Sequence, residues 1–335
     1  MPDNDNDPVE QIEQAGKTLK DIKQQISRRI VGQAEVVDLA LTAILSGGHA
    51  LVVGVPGLAK TRLVDTLGTV LGLDTNRIQF TPDLMPADIL GSEVLEEGKD
   101  GARAFRFIDG PVFTQLLMAD EINRASPRTQ SALLQAMQEG EVTVAGQHRK
   151  LARPFHVLAT QNPIEQEGVY PLPEAQLDRF LLQIDIDYPS RDEERDIVLT
   201  TTGVEETTAA PVLDAEGLIA LQHLVRQMPV GEQVVEAILT LVRAARPDGA
   251  EGAEVARQRL AWGPSPRAAQ ALMLASRARA LIAGRLAPSV VDVAALARPA
   301  LTHRMALTFA ARAEGATIAG VIGDLLEGTA LEEAA

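Results

Sequence analysis

The sequence predicts an α/β fold: a parallel sheet of five strands covered by helices, followed by a region built of helices alone. Three observations carry this. Short apolar runs separated by longer helical stretches recur from Ala50 to about Asp187, and runs apolar on both faces with helices between them imply a buried parallel sheet. After Ser190 the strand-like runs stop and only helical periodicity remains. The chain of 335 residues, 46% hydrophobic and 23% charged, can also bury a sizeable core over about two domains.

Taken in order, residues 1–10 read as an acidic tip, its polar first eight residues disordered. From about Val9 to Ile30 the spacing of Ile12, Leu19, Ile22 and Ile26 fits one face of a helix. A second helix over Ala34–Leu45 ends at Gly47-Gly48, which suit a left-handed C-terminal position. Five strands follow, at Ala50–Val53, Arg77–Phe80, Leu116–Ala119, Phe155–Thr160 and Phe180–Ile186. Residues 93–108 and 141–151 alternate around glycine-rich turns, as exposed β-hairpins do; irregular loops are the other reading. Ser126–Glu139 is a helix marked by Pro127 in its first turn and Gly140 after it. Residues 201–212 read as a linker, and helices are expected near Ala215–Gln227, Gly231–Ala245, Pro266–Gly284 and Pro288–Phe309. The expected division is a tip at 1–10, an α/β core at 11–190 and an all-helical domain at 191–335.

Composition narrows the function. No run approaches the roughly 18 apolar residues that cross a membrane, and the acidic start MPDNDNDPVE does not resemble an export signal. Cysteine is absent, which removes disulfides, thiolate metal sites and cysteine nucleophiles. The expected location is the cytoplasm. The net charge is −15, of which residues 1–10 and 324–335 together carry −8 and the rest −7. An acidic body with 3% aromatic residues disfavours phosphate-backbone binding and base stacking. His49, His148, His156, His223 and His303 show no metal-binding spacing and read as structural or surface residues.

The strongest chemical signal follows the first strand: GVPGLAKT, residues 54–61. It places Gly54, Lys60 and Thr61 at the spacing of a phosphate loop, with Ala59 where a second glycine is usual; Pro56, Gly57 and Leu58 form its middle and Arg62 follows it. Backbone N–H groups of such a loop and of the next helix face an anion. Lys60 then supplies charge to the β- and γ-phosphates, and the Thr61 hydroxyl can ligate Mg²⁺. A second signal is LLMADE, residues 116–121, where an apolar strand ends in Asp120 and Glu121. At the carboxyl edge of the sheet, Asp120 would hold Mg²⁺ and Glu121 would polarise an attacking water. A third is FHVLATQN, residues 155–162, whose Asn162 either meets the γ-phosphate and lytic water or serves as the turn residue before Pro163.

These strings, with GPVFTQLLMADEINRASPRTQSALLQAMQEGEVTV (110–144), ATQNPIEQEGVYPLPEAQLDRF (159–180) and WGPSPRAAQAL (262–272), resemble the MoxR family of AAA+ ATPases over residues 20–315. The resemblance implies an AAA+ P-loop core with a helical lid. Lys60 and Thr61 then match the Walker A pair, Asp120 and Glu121 the Walker B acids with Glu121 as catalytic base, and Asn162 sensor 1. Arg179, in LDRF, matches the arginine finger that reaches a neighbouring subunit, although an arginine beside Asp178 is equally a surface ion pair. Arg267, in GPSPRA, matches the sensor 2 arginine, which would couple lid closure to the γ-phosphate, although beside Pro264 and Pro266 it also reads as a solvent-facing first-turn residue. Ile30, Val31, Gly32 and Gln33 match the segment against adenine. The cofactors implied are ATP and Mg²⁺, in a ring that is most often a hexamer. The implied role is chaperone-like remodelling, activation or metal-centre insertion in a client, with a von Willebrand factor A-domain partner. Two other classes stay open: a weakly hydrolysing nucleotide switch or scaffold, and a nucleic-acid motor using Lys99, Arg103, Arg106, His148, Arg149 and Lys150 of the hairpins.

Overall fold

The computed structural model describes residues 8–97, 103–164, 168–201, 208–329 and 331. Helix α1 (Pro8–Ser27) buries the stripe Ile12, Leu19, Ile22 and Ile26. Residues 8–10, expected in the acidic tip, therefore begin this helix; residues 1–7 lie outside the described residues. Helix α2 (Ala34–Leu45) is followed by Gly47 at φ 74°, the left-handed position anticipated there. The core then runs β1 (Ala50–Gly54), α3 (Lys60–Val70), β2 (Thr75–Gln79), α4 (Pro86–Leu90), β3 (Gly91–Glu97), β4 (Arg103–Asp109), β5 (Leu116–Asp120) and α5 (Pro127–Glu139). It continues through β6 (Glu141–Val144), β7 (Gln147–Lys150), β8 (His156–Gln161), α6 (Glu174–Leu177), β9 (Leu182–Ile186) and α7 (Arg191–Thr201).

Five strands form one sheet in the order β2-β5-β8-β1-β9, and every neighbouring pair is parallel. Alternate residues of each strand serve opposite faces. Val52, Met118, Leu158 and Ile184 join a cluster with α1, α2 and α3. Leu51, Leu117, Val157 and Ala159 join a second cluster beneath Leu133, Leu134 and Met137 of α5. This double burial is why the inner strands β1, β5 and β8 lack the polar–apolar alternation that the edge strand β9 shows.

Both insertions are antiparallel hairpins, the first opening at Gly91 and not at residue 93. Its tip, with Lys99, lies outside the described residues. The second turns on Ala145 and Gly146, both at positive φ, as a tight hairpin turn requires. The Arg149 guanidinium lies 3.7 Å from the centroid of the Phe107 ring and joins the two hairpins.

Beyond α7 come α8 (Ala215–Gln227), α9 (Glu232–Ala244), α10 (Glu254–Arg259), β10 (Leu260–Trp262) and α11 (Pro266–Ile282). The chain finishes with α12 (Val290–Leu301), β11 (Ala306–Leu307), α13 (Phe309–Ala313) and α14 (Ile318–Gly328). Among the described residues this lid is helical apart from one ribbon, β10 against β11; strands of two and three residues are too short to show a period. Of the expected linker, residues 202–207 lie outside the described residues. Helix α11 packs on α1, α2, α9 and α12, so the lid shares the larger hydrophobic cluster with the core.

Candidate active site

The phosphate loop links β1 to α3 across a tight corner. A Cβ on Gly54 would come 2.8 Å from the Ile186 carbonyl oxygen, so glycine lets β1 end against β9. Gly57 turns the loop at φ 87°, and Ala59 takes the left-handed conformation (φ 55°) that precedes α3. The loop and the α3 N-terminus open onto a cavity of about 500 Å³. Pro56, Gly57, Ala59, Lys60, Thr61 and Arg62 line one side; Arg77, Gln79, Asp120, Glu121 and Asn162 line the other. Gly54, Leu58, Val31 and Gly32 are outside that lining. Gly54 contributes its carbonyl, which accepts from Lys60 Nζ at 2.6 Å. Gln33 Nε2 reaches the Leu58 carbonyl at 3.5 Å, which sets the segment with Val31 and Gly32 beside the loop. Burial lowers the Lys60 ammonium, and the nearby charges of Asp120 and Glu121 act in the opposite direction.

The two acids are fixed by strand register. Gln79 of β2 stands opposite Asp120 of β5, and β8 lies on the far side of β5. Thr160 Oγ1 of β8 donates to Asp120 Oδ1 at 2.5 Å and accepts from the Glu121 N–H at 2.9 Å. Arg77 Nη2 donates to Asp120 Oδ2 at 2.5 Å. Glu121 adopts φ 55°, which turns its carboxylate towards Gln79 Nε2 at 2.6 Å and Arg124 Nη1 at 3.0 Å. Asn162 lines the cavity and also closes the turn, its Oδ1 accepting from the Ile164 N–H at 3.2 Å. Arg77 and Gln79 had no role in the sequence reading. Their one signal is two long polar side chains flanking buried Ile78 at the end of a strand.

The donor set suits magnesium. Thr61 and Asp120 offer a hydroxyl and a carboxylate on one cavity, and Mg²⁺ is held by one or two protein oxygens together with substrate phosphates. Among the described residues no group of three or more His, Asp or Glu side chains forms an all-protein metal cage.

Arg179 and Arg267 do not join this cavity. They line another, of about 270 Å³, with Gly47, Gly48, His49 and Arg304. Gly48 lies before β1 and the phosphate loop follows it, so the two cavities open at opposite ends of β1. A lid arginine closing over the phosphates of its own protomer is therefore not what the geometry provides. Arg267 leaves the first turn of α11, and the packing of α11 on α1 and α2 holds it beside Arg179. Burial lowers the Arg179 guanidinium, and the charge of Arg267 lowers it further. Arg179 forms no ion pair with its neighbour in sequence: its Nη1 donates to the Leu134 carbonyl, and Asp178 faces the lid.

A phosphate loop on a parallel sheet, two acids at the carboxyl edge and a helical lid define the class of AAA+ ATPases. Residues 49–182 match the ATPase family associated with various cellular activities (AAA), and residues 252–323 match the AAA lid domain. The chaperone MoxR1 of Mycobacterium tuberculosis is 42% identical over 309 residues, 92% of this chain and 81% of that protein. The uncharacterized protein YeaC of Bacillus subtilis is 40% identical over 90% of this chain and 91% of its own length. MoxR of Paracoccus denitrificans is 31% identical over 87% and 89%. The crystal structure of an ATPase candidate from Cytophaga hutchinsonii superposes with a TM-score of 0.87 at 35% identity, covering 95% of this chain and 96% of that one. The chain belongs to the MoxR family of AAA+ ATPases.

Proposed function

We propose that this protein binds Mg-ATP at the phosphate-loop cavity and hydrolyses it to remodel, activate or insert a metal centre into a client protein, in the cytoplasm. The observation that carries this reading is the meeting of Lys60, Thr61, Asp120, Glu121 and Asn162 on one cavity. Lys60 and the loop N–H groups hold the triphosphate, and Thr61 and Asp120 hold the metal, which offsets charge on the β- and γ-oxygens. Glu121 accepts a proton from the attacking water, and Asn162 orients that water.

Arg179 and Arg267 are assigned to the triphosphate of a neighbouring copy, in a ring most simply of six. Phosphoryl transfer is accelerated mainly by positioning and charge, so a guanidinium from the next subunit makes hydrolysis depend on assembly. A von Willebrand factor A-domain protein is the partner expected from the family resemblance.

A nucleic-acid motor is disfavoured by the pairing of the hairpin cations. Arg103 meets Glu97, Arg106 meets Glu96 and Arg149 meets Glu93. The joint presence of Glu121, Asn162 and Arg179 favours a working ATPase over a passive switch, which can dispense with the water-orienting glutamate.

The test is Glu121→Gln, which preserves shape and removes the base. It should bind ATP with wild-type affinity while steady-state phosphate release falls about 100-fold or more, the usual worth of a general base. Unchanged turnover would remove Glu121 from the mechanism.

A further inference from the structure

The carboxylate next to Arg179 is held entirely by the lid. Asp178 Oδ2 accepts from Ser265 Oγ at 2.8 Å, and Asp178 Oδ1 accepts from Arg304 Nε at 2.7 Å. Ser265 is the N-cap of α11, and its Oγ also accepts from the N–H of Arg267 at 3.1 Å. One hydroxyl thus joins Asp178, which precedes Arg179, to the backbone of Arg267.

Arg304 completes the joint from the other side. Its side chain is 3% exposed. Besides Asp178, its guanidinium donates to the carbonyls of Phe180 at 2.6 Å and Leu181 at 3.0 Å. His303 Nε2 donates to the same Phe180 carbonyl at 3.0 Å. The backbone on both sides of Arg179 is therefore wrapped round a buried lid arginine. A guanidinium committed to one carboxylate and several carbonyls is a rigid tether, because each unmade bond in a buried site leaves a costly orphan.

The electrostatics show what the tether works against. Arg179, Arg267 and Arg304 line one small cavity with Asp178, and the charge of Arg267 acts on Arg179 against that of nearby Glu139. Like charges at this separation repel, yet Arg179 and Arg267 come from different parts of the fold and stay together. Beside the Leu134 carbonyl under Arg179 and the packing of α11, Ser265, Asp178 and Arg304 tie the two segments directly to each other.

We propose that Asp178, Ser265 and Arg304 form a positioning joint through which the lid of one protomer sets both arginines that its neighbour's triphosphate receives. The proposal rests on the assignment of Arg179 and Arg267 to a neighbouring site. In this arrangement the lid answers to the nucleotide next door: an anion entering between Arg179 and Arg267 removes their repulsion and pulls on the joint, and a displaced lid withdraws both arginines together. The protomer's own phosphate cavity, at the other end of β1, is left as it was.

Ser265 gives a clean test because its two jobs separate. Glycine at an N-cap costs only a few tenths of a kcal/mol, and aspartate is a strong N-cap. Ser265→Gly keeps a tolerable cap and loses the donor to Asp178. Ser265→Asp keeps a strong cap and sets a second carboxylate against Asp178. Ser265→Thr keeps both functions. ATP hydrolysis by the full-length assembled protein is measured beside fluorescent-ATP titration and thermal unfolding. For the glycine and aspartate variants we expect kcat to fall about 10-fold with ATP affinity within about twofold of wild type; the threonine variant should recover kcat. Wild-type kcat in the aspartate variant would reduce Ser265 to a helix cap and overturn the proposal, and so would a matching loss of ATP affinity. Should the aspartate variant fail to fold, the glycine variant decides alone by the same criteria. Arg179→Ala runs in parallel. If its kcat is also unchanged, the assignment of Arg179 has failed; if its kcat collapses while the Ser265 variants stay active, only the joint has.

Discussion

Each acid of the phosphate cavity already has partners placed by the fold, Asp120 in Thr160 and Arg77, Glu121 in Gln79 and Arg124. Lys60, Thr61, Asp120 and Glu121 were legible in the sequence because each stands in a short string whose chemistry is local. Arg77, Gln79 and Arg304 were not, because their partners are set by strand register or by the docking of the lid. The destination of Arg267 was hidden for the same reason: a string names the residue, and packing decides which rim it reaches. The buried histidines give a prediction at this scale. Burial holds His49 down to about 3 and His156 to about 4, and His303 is also pushed well below its usual range. All three are neutral in the folded protein at neutral pH, whereas in the unfolded chain they titrate near 6.5. As pH falls below about 6.5 the unfolded chain takes up protons that the native one refuses, so stability drops towards about pH 4, by roughly 2 kcal/mol per histidine at pH 5. Urea unfolding at pH 7 and pH 5 checks this, with His156→Gln expected to show the shallower dependence. Equal stability at both values would contradict the burial of these neutral rings.

At the scale of elements, the inner strands were readable because burial on both faces leaves unbroken apolar runs, and the edge strand β9 by its alternation. Strand ends moved by one or two residues. The last strand begins at Leu182 and not at Phe180, since the Phe180 N–H closes a turn on the Leu177 carbonyl and its carbonyl accepts from the lid. The β10–β11 ribbon escaped notice through its shortness. The first hairpin depends on a feature no periodicity shows. Gly91 sits at φ 89° where the hairpin leaves α4, and a Cβ there would lie 2.3 Å from the Ile108 carbonyl oxygen. Gly91→Ala must therefore open the base of the hairpin, at a cost of about 3 kcal/mol from backbone strain and lost packing. Thermal or urea unfolding measures the loss, and a variant as stable as wild type would show that the hairpin base is not closed in this way.

At the scale of the whole molecule, one hydrophobic cluster runs from α1 through the sheet into the lid, and two cavities open at opposite ends of β1. The phosphate cavity sets Asp120 and Glu121 among Lys60, Arg62 and Arg77; the far cavity sets Asp178 among Arg179, Arg267 and Arg304. In a single copy they cannot meet. In the proposed ring, the arginine rim of one copy would face the phosphate rim of the next, so that hydrolysis would depend on assembly. Among the described residues no helix is long and apolar enough to cross a membrane. The central claim is that each working site is shared by two protomers, and mixing two inactive variants tests it most directly. Lys60→Ala cannot hold the triphosphate but still offers Arg179, while Arg179→Ala holds the triphosphate and offers nothing to its neighbour. Each alone should be nearly silent in phosphate release, and an equimolar mixture should recover a substantial fraction of wild-type turnover wherever the two stand side by side. A mixture that stays silent while both variants are folded and co-assembled would contradict the shared site.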